Sequence, residues 1–218
     1  MSGNNHNQLT NLRAVIFDYG EVLCYAPRAD QTARLAAHFG VGVDKLPKLW
    51  ERNRGAYDRG DLTPEVYWSL LAEDAGVKLR PGQFEEICQL DVAMWSNLNS
   101  NMVEWACQLG ASGLKVGLLS NMHPEMVAHC RKHFGWLKNF DCVTFSADVG
   151  LIKPDPPIYE HTLNRLGVTA SEALFLDDRE VNIQAARKMG IYAIRFQSMP
   201  QLRRDLQAAG FATPPANP

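Results

Sequence analysis

Ala14-Val15-Ile16-Phe17-Asp18, running on into Tyr19-Gly20-Glu21-Val22-Leu23, is the stretch that decides how this chain folds. Ala14 to Phe17 is an unbroken apolar run bounded by turn residues, the pattern of a short buried strand. It stops on a carboxylate, and a glycine two residues later lets the backbone turn sharply. In open α/β sheets ligands bind outside the carboxyl ends of the strands, which gives Asp18 a functional reading. An aspartate that merely starts a turn is the structural one. Three later segments bear on the choice.

Outward from this strand the chain first turns helical, from about Arg28 to Ser96. Asp30 precedes the helical run Gln31 to Phe39, which Gly40 closes, and Thr63-Pro64-Glu65 opens another helix with Thr63 as cap. Strand–helix alternation then resumes. Met102 to Leu109 reads as helix and Lys115 to Leu119 as strand, followed by the loop Ser120-Asn121-Met122-His123-Pro124 and a helix to about His133. Phe140 to Phe145, Ala173 to Leu176 and Tyr192 to Phe196 read as strands, with helices over Pro156 to Leu166 and Val181 to Met189. Such alternation implies a parallel sheet. The stretch between the first two strands is too long for a simple connection and is expected to be an inserted helical cap. The expected division is a core of residues 12–25 and 97–210, a cap of residues 26–96, a disordered N-terminus over 1–11 and a flexible tail over 211–218.

Bulk properties exclude several classes. With 218 residues, 46% hydrophobic and 21% charged, the composition is that of an ordinary globular protein. A net charge of -2 gives no reason to expect nucleic-acid binding, and no apolar run reaches membrane-spanning length. The polar N-terminus lacks a signal-peptide pattern, so a cytoplasmic location is expected. The five cysteines are scattered without a C-x-x-C pair, which argues against a disulfide framework or zinc site. Cys24 lies near the Asp18 turn, and a buried, inert thiol is its expected state.

Four segments place polar groups just after strands: Asp18, Ser120-Asn121, Lys153-Pro154 and Asp177-Asp178. In a parallel sheet these ends share one edge and can converge. Their chemistry is mutually consistent. Asp18 can serve as nucleophile or metal ligand, Asp178 beside Asp177 can complete a hard oxygen site suited to Mg²⁺, and Ser120, the following backbone N–H groups and Lys153 can bind phosphate oxygens. A carboxylate attacking a phosphate dianion meets like-charge repulsion, which a divalent cation and a lysine remove.

The ordered set of strand-Asp, strand-Ser, Lys and strand-Asp-Asp resembles the haloacid dehalogenase-like hydrolase superfamily, over about residues 12–200. It is carried by Phe17-Asp18-Tyr19-Gly20-Glu21-Val22-Leu23, Leu118-Leu119-Ser120-Asn121, Gly150-Leu151-Ile152-Lys153-Pro154-Asp155 and Phe175-Leu176-Asp177-Asp178-Arg179-Glu180-Val181-Asn182. The helical insert matches the subclass with a helical cap, and the pattern is similar to sugar-phosphate phosphatases and the phosphatase domain of soluble epoxide hydrolases. The resemblance implies an α/β fold with a Rossmann-like three-layer core and a five-stranded parallel sheet. It also implies a Mg²⁺-dependent hydrolase that cleaves a small phosphorylated metabolite through an aspartyl-phosphate on Asp18. Mg²⁺ would be held by Asp18, the Gly20 carbonyl and Asp178, with Asp177 acting directly or through a water. Ser120 and Asn121 would hold the phosphate, Lys153 would brace phosphate and nucleophile, and Asn182, one helical turn beyond Asp178, would orient that acid.

One position departs from the pattern. Phosphatases of this superfamily usually carry a second Asp two residues after the nucleophile, as acid and base, and here that residue is Gly20. The loss removes a contribution of about 10²–10⁴-fold, least damaging for good leaving groups. Glu21, one residue on, is a possible substitute, although a solvated position or one at the cap hinge is the simpler expectation. A metal-independent 2-haloacid dehalogenase is the alternative enzyme, and a weakly catalytic binding or regulatory protein the non-enzymatic one. The paired acids Asp177-Asp178 favour the metal-dependent reading.

Other residues have plainer expectations. Asp18 and Asp178 as turn caps, Lys153 as a solvated loop lysine and Ser120 as a helix cap are the structural alternatives. His123 follows the phosphate loop and is a candidate substrate contact, with a surface position the simpler expectation. Tyr25 and Arg28 are possible leaving-group contacts at the exit toward the cap, and Trp50, Arg54, Tyr57, Arg59, Trp68 and Trp95 are expected mainly in the cap's core or on its surface.

Overall fold

A computed structural model describes residues 11–211. Strand β1 (Ala14–Phe17) leads through an irregular turn at Tyr19–Leu23 into helices α1 (Ala29–His38), α2 (Leu46–Glu51), α3 (Arg54–Asp58), α4 (Pro64–Asp74) and α5 (Gln83–Met94). Then follow α6 (Ser100–Ala111), β2 (Lys115–Ser120), α7 (Pro124–His133), β3 (Cys142–Phe145) and α8 (Ser146–Val149). The chain continues through α9 (Pro156–Leu166), β4 (Ala173–Asp177), α10 (Glu180–Lys188), β5 (Tyr192–Arg195) and α11 (Met199–Ala208).

The five strands form one parallel sheet in the order β3-β2-β1-β4-β5. Strand order therefore reverses beside β1. The chain builds outward through β2 and β3, then returns to lay β4 against the other side of β1. The crevice outside the strand ends at such a reversal is the usual ligand site of open α/β sheets. It lies here between Asp18 and Asp177, which terminate neighbouring strands.

Alternating side chains on the strands supply two cores, one per face. Val15, Phe17, Leu118, Leu174 and Leu176 pack under α6, α7 and α11, while Ala14, Ile16, Leu119 and Phe175 pack under α9 and α10. β1 and β4 are buried on both faces, which explains their unbroken apolar runs. At roughly 1.5–3 kcal/mol per fully buried large side chain, burial rather than propensity holds a four-residue strand in place. Gly117 in β2 is required by a close approach, since a Cβ there would lie 3.0 Å from Leu166 of α9 and 3.3 Å from Ile16.

Helices α1–α5 enclose a third core, built from Leu35, Phe39, Tyr57, Tyr67, Trp68, Leu71, Ile87 and Met94. The Thr63 cap is formed, with its hydroxyl accepting the Val66 N–H at 3.4 Å, and Pro64 stands in the first turn. The segments entering and leaving this bundle are paired. Cys24 faces Leu98 across an antiparallel bridge, the Tyr25 N–H donates to Asn97 (2.8 Å) and the Asn99 N–H donates to Leu23 (2.9 Å).

Some local expectations differ from the structure. β3 begins at Cys142 instead of Phe140, because Gly135–Asn139 forms a 3₁₀ turn and Asp141 accepts the Val116 N–H with its carboxylate (2.7 Å). The short α8 separates β3 from Lys153, so that lysine does not directly follow a strand. α11 has signals that pass unread in the sequence: Ser198 accepts the Gln201 N–H, and Pro200 stands in the first turn. Phe211, assigned to the tail, packs into the core against Trp105. The expected disorder of residues 1–10 and 212–218 lies outside the described residues. Among the described residues no helix is long and apolar enough to cross a membrane.

Candidate active site

Asp18 leaves β1 with its N–H donating to Leu176 of β4 (2.8 Å), so sheet pairing fixes its backbone. Its Oδ1 accepts the Tyr19 N–H (2.7 Å) and lies 2.8 Å from Lys153 Nζ. The turn that follows is irregular, with Gly20 at φ -61°, ψ 129° and Glu21 in the left-handed region at φ 54°. A Cβ on residue 20 would sit 3.8 Å from the Trp95 ring, an ordinary contact. The absent side chain is therefore not excluded by crowding at its first atom.

Lys153 is 3% exposed, and its ammonium uses all three donor directions: Asp18 Oδ1 (2.8 Å), Asp177 Oδ2 (2.7 Å) and the Leu119 carbonyl (3.0 Å). Its backbone is held by a reciprocal pair of bonds to Asn121, whose amide donates to the Lys153 carbonyl (2.9 Å) and whose oxygen accepts the Lys153 N–H (2.8 Å). The Lys153–Pro154 bond is cis. Asp177 is fully buried. Besides Lys153 it accepts the Arg179 N–H (2.8 Å) and the Asn182 amide, which lies 3.0 Å from both oxygens.

Asp18, Asp177 and Asp178 each present a carboxylate oxygen within 4.8 Å of the others. Burial, followed by the charges of Asp177 and Asp178, pushes the Asp18 carboxyl up to about 8 despite the pull of Lys153. Half-buried Asp178 is pushed up to about 6 by burial and by the charges of Asp177 and Glu21. Burial works against the Lys153 charge, but Asp177 and Asp18 together outweigh it and raise the ammonium above its usual range. Three carboxylates share one ammonium, an excess of negative charge that a hard divalent cation would balance. The donor set suits one, since oxygen ligands at this spacing match Mg²⁺. Asp178 and the turn at Gly20 face the open side, while Asp177 is already engaged by its hydrogen-bond donors.

These groups floor a chamber of about 400 Å³ between the sheet edge and the helical insert, with Ser120 and Lys153 on the core side and Trp50, Arg54 and Trp95 opposite. Trp50 and Trp95 lie 6.1 Å apart between ring centres, and Trp95 is fixed by the Tyr19 hydroxyl donating to its carbonyl (2.5 Å). Residues 12–190 match the family of haloacid dehalogenase-like hydrolases. The chain belongs to that family.

The relatives of this hydrolase differ in chemistry. It is 27% identical over 187 residues to the sesquiterpene phosphatase astK of Aspergillus oryzae, covering 85% of this chain and 90% of that protein. It is equally 27% identical over 194 residues to (S)-2-haloacid dehalogenase 4A of Burkholderia cepacia, covering 85% and 83%. Its fold matches that of a family enzyme from Bacteroides thetaiotaomicron solved with magnesium and inorganic phosphate, at a TM-score of 0.69, 17% identity and coverage of 85% and 94%. The expected α/β architecture and hydrolase class are thus correct.

Most of the site residues named from the sequence meet in this hydrolase, but two act on different partners. Asn182 was assigned to Asp178 by its helical spacing. It holds Asp177, because that carboxylate lies under the first turn of α10. Asn121, assigned to phosphate, has both side-chain amide atoms committed to the Lys153 backbone, so its side chain braces the lysine loop. Asp18, Gly20, Ser120, Asn121, Lys153, Asp178 and Asn182 all line the chamber. Tyr57 and Trp68 are core residues of the insert, and Arg59 pairs with Asp61 (2.7 Å). Tyr25 is 49% exposed, Arg28 pairs with Asp30 (2.9 Å), and neither lines the chamber. Burial raises the Cys24 thiol to about 12, which makes it inert. His123, expected at the surface, is 1% exposed and faces Asp91 and Glu125. The burial of His123 carried no sequence signal, because Asp91 and Tyr57 reach it from the insert, and Asp58, paired with Arg54 on its own helix, was not singled out.

Proposed function

We propose that this hydrolase is a Mg²⁺-dependent phosphatase acting on a small phosphomonoester such as a sugar phosphate, through an aspartyl-phosphate on Asp18. The observation that carries this reading is the convergence of Asp18, Asp177 and Asp178 within 4.8 Å around a single lysine. Without a cation that cluster favours protonated acids, and a protonated Asp18 is no nucleophile. Mg²⁺ held by Asp18, Asp178 and the Gly20 carbonyl would supply positive charge that keeps Asp18 ionised and offsets the phosphate's negative charge.

The side chains divide the remaining work. Tyr19 N–H and Lys153 hold Asp18 through Oδ1, which fixes the orientation of the carboxylate for attack on phosphorus. The P–O bond to the leaving group breaks as the Asp18–P bond forms, and water then cleaves the acyl phosphate to return the carboxylate. Lys153 holds the nucleophile's orientation and offsets charge as the phosphoryl group approaches. Asp177, locked by Asn182 and Arg179 N–H, holds Lys153 in turn. Ser120 offers its hydroxyl at the phosphate side. No side chain at Gly20 protonates the leaving oxygen, so turnover favours leaving groups that depart as stable anions, such as an anomeric oxygen or an acyl group. The helical insert acts as the cap, with Trp50, Arg54 and Trp95 facing the leaving group.

Incubation with a phosphomonoester panel and Mg²⁺ tests this reading. Phosphate release should stop with EDTA and be absent in Asp18→Asn. The dehalogenase relative supports a second reading, in which Asp18 displaces halide from a 2-haloacid without metal. Chloride release from 2-chloropropionate in EDTA, with no phosphate release from the panel, would establish it instead.

A further inference from the structure

We infer that His123 and Asp91 are positioning residues, a buried pair through which the helical insert holds the loop Ser120–His123 in shape for the phosphate. The inference rests on the phosphatase reading for its kinetic consequences, but its geometry stands apart from it. His123 closes the loop that begins with Ser120 and caps α7. Its Nε2 lies 3.0 Å from Asp91 Oδ2 on α5, and its Nδ1 lies 3.0 Å from Glu125 Oε2 on α7. The same Glu125 oxygen accepts the Tyr57 hydroxyl of α3 (2.7 Å), and the Tyr57 ring stacks on the imidazole with centres 4.7 Å apart. The preceding loop residue is tied as well. Met122 N–H donates to Ser146 Oγ (2.8 Å), and Ser146 donates to the Asp58 carbonyl at the end of α3. Arg54 of the chamber wall joins the network through Asp58 (2.8 Å) and Asp91 (3.9 Å).

Two features point to positioning as the role of this network. Buried ion pairs are generally no more stabilising than well-packed apolar residues, so their use is weak evidence of a stability role. The pair also spans the joint between insert and core, next to the residues facing the phosphate, while the chain connections form only the narrow ribbon at Cys24 and Leu98. Both ring nitrogens lie 3.0 Å from carboxylate oxygens, Nδ1 in hydrogen-bonding geometry with Glu125 and Nε2 as a close ion pair with Asp91, and only the imidazolium carries the charge and the second N–H that serve both. Burial alone would discharge it, but Asp91 and Glu125 outweigh both burial and the opposing charge of Arg54, so the imidazolium persists above the ordinary histidine range. The clasp is thus complete at and below the ordinary histidine value of 6.5 and loosens as the pH climbs through the raised one.

Two measurements on the same protein test the inference. The first needs no turnover: the His123 ring is titrated by NMR in Mg²⁺, with amide hydrogen exchange followed at residues 88–94 and 120–126. The expected result is a midpoint above 6.5, with protection of both segments falling at least tenfold through the same midpoint. A ring that titrates at or below 6.5, or protection that does not follow it, overturns the clasp. The second is kinetic, with p-nitrophenyl phosphate as substrate and inorganic phosphate as inhibitor. Asp91→Asn should raise KM and the phosphate inhibition constant together about tenfold, with kcat within threefold, and should remove the alkaline rise in KM expected of the wild-type protein. A folded Asp91→Asn protein with wild-type KM and pH profile would reduce the pair to a structural role. Failure of the phosphatase reading would show separately, as absence of any wild-type turnover with the NMR result intact.

Discussion

Asp18→Asn should make this hydrolase more stable as well as inactive, provided metal is withheld. The acid is buried at the floor of the chamber, and burial with two neighbouring carboxylates raises it from 3.8 to about 8. A carboxyl whose folded value is raised binds its proton more tightly in the native state than in the unfolded chain. Its contribution is fully present below the unfolded value and is lost as pH rises through the folded one. At ~1.4 kcal/mol per pH unit, raising the pH from 5 to 8 in EDTA should cost the wild-type protein about 4 kcal/mol. For a chain of this size that lowers Tm by about 10 °C. Asparagine can still accept from Tyr19 N–H and Lys153 through its oxygen, so Asp18→Asn should keep the geometry and lose most of this pH dependence. The assay is thermal or urea unfolding of both proteins in EDTA at pH 5, 6.5 and 8, repeated with Mg²⁺. Mg²⁺ should restore the wild-type protein at pH 8 and do far less for the variant. A wild-type stability that is flat or rises from pH 5 to 8 in EDTA, or an Asp18→Asn variant no more stable at pH 8, would refute the account of the acid cluster.

Gly20→Asp should raise kcat/KM on alkyl phosphates at least tenfold while leaving p-nitrophenyl phosphate within about threefold, since only the poor leaving group needs a proton. The Gly20 backbone angles and the 3.8 Å clearance to Trp95 accommodate the new Cβ, so the variant should fold normally by circular dichroism. Asn182→Ala removes the amide that lies 3.0 Å from both Asp177 oxygens and should lower kcat about tenfold with a stability loss of about 1–3 kcal/mol, read by steady-state kinetics and urea unfolding. Asn121→Ala cuts both bonds that hold the Lys153 backbone. Its kcat should fall while its KM for substrate changes less than twofold, whereas a direct phosphate contact would raise KM most.

What the chain discloses before folding follows its physics. β1 and β4 are legible because strands buried on both faces write continuous apolar runs, and because each ends on the acid that the sheet edge exposes. The meeting of Asp18 and Asp177 was legible for the same reason: parallel strands bring their carboxyl ends together, whereas Lys153 reaches them from the loop beyond α8. Partner choice was not. Spacing places Asn182 one turn into α10, but which of two adjacent carboxylates it reaches depends on the tilt of the strand end beneath it. His123 is the clearest case. Nothing near it in sequence shows burial, since Asp91 and Tyr57 arrive from the insert, and two charged partners make a polar residue acceptable inside. Phe211 was lost among the prolines that follow it, though α11 returns it to the core.

The most direct test of the central claim is a rapid quench of the enzyme with Mg²⁺ and ³²P-labelled acetyl phosphate, followed by peptide mapping. The account predicts label, acid-stable and released by hydroxylamine, on the peptide that contains Asp18. Turnover with no labelled peptide, or label on any other residue, would contradict it.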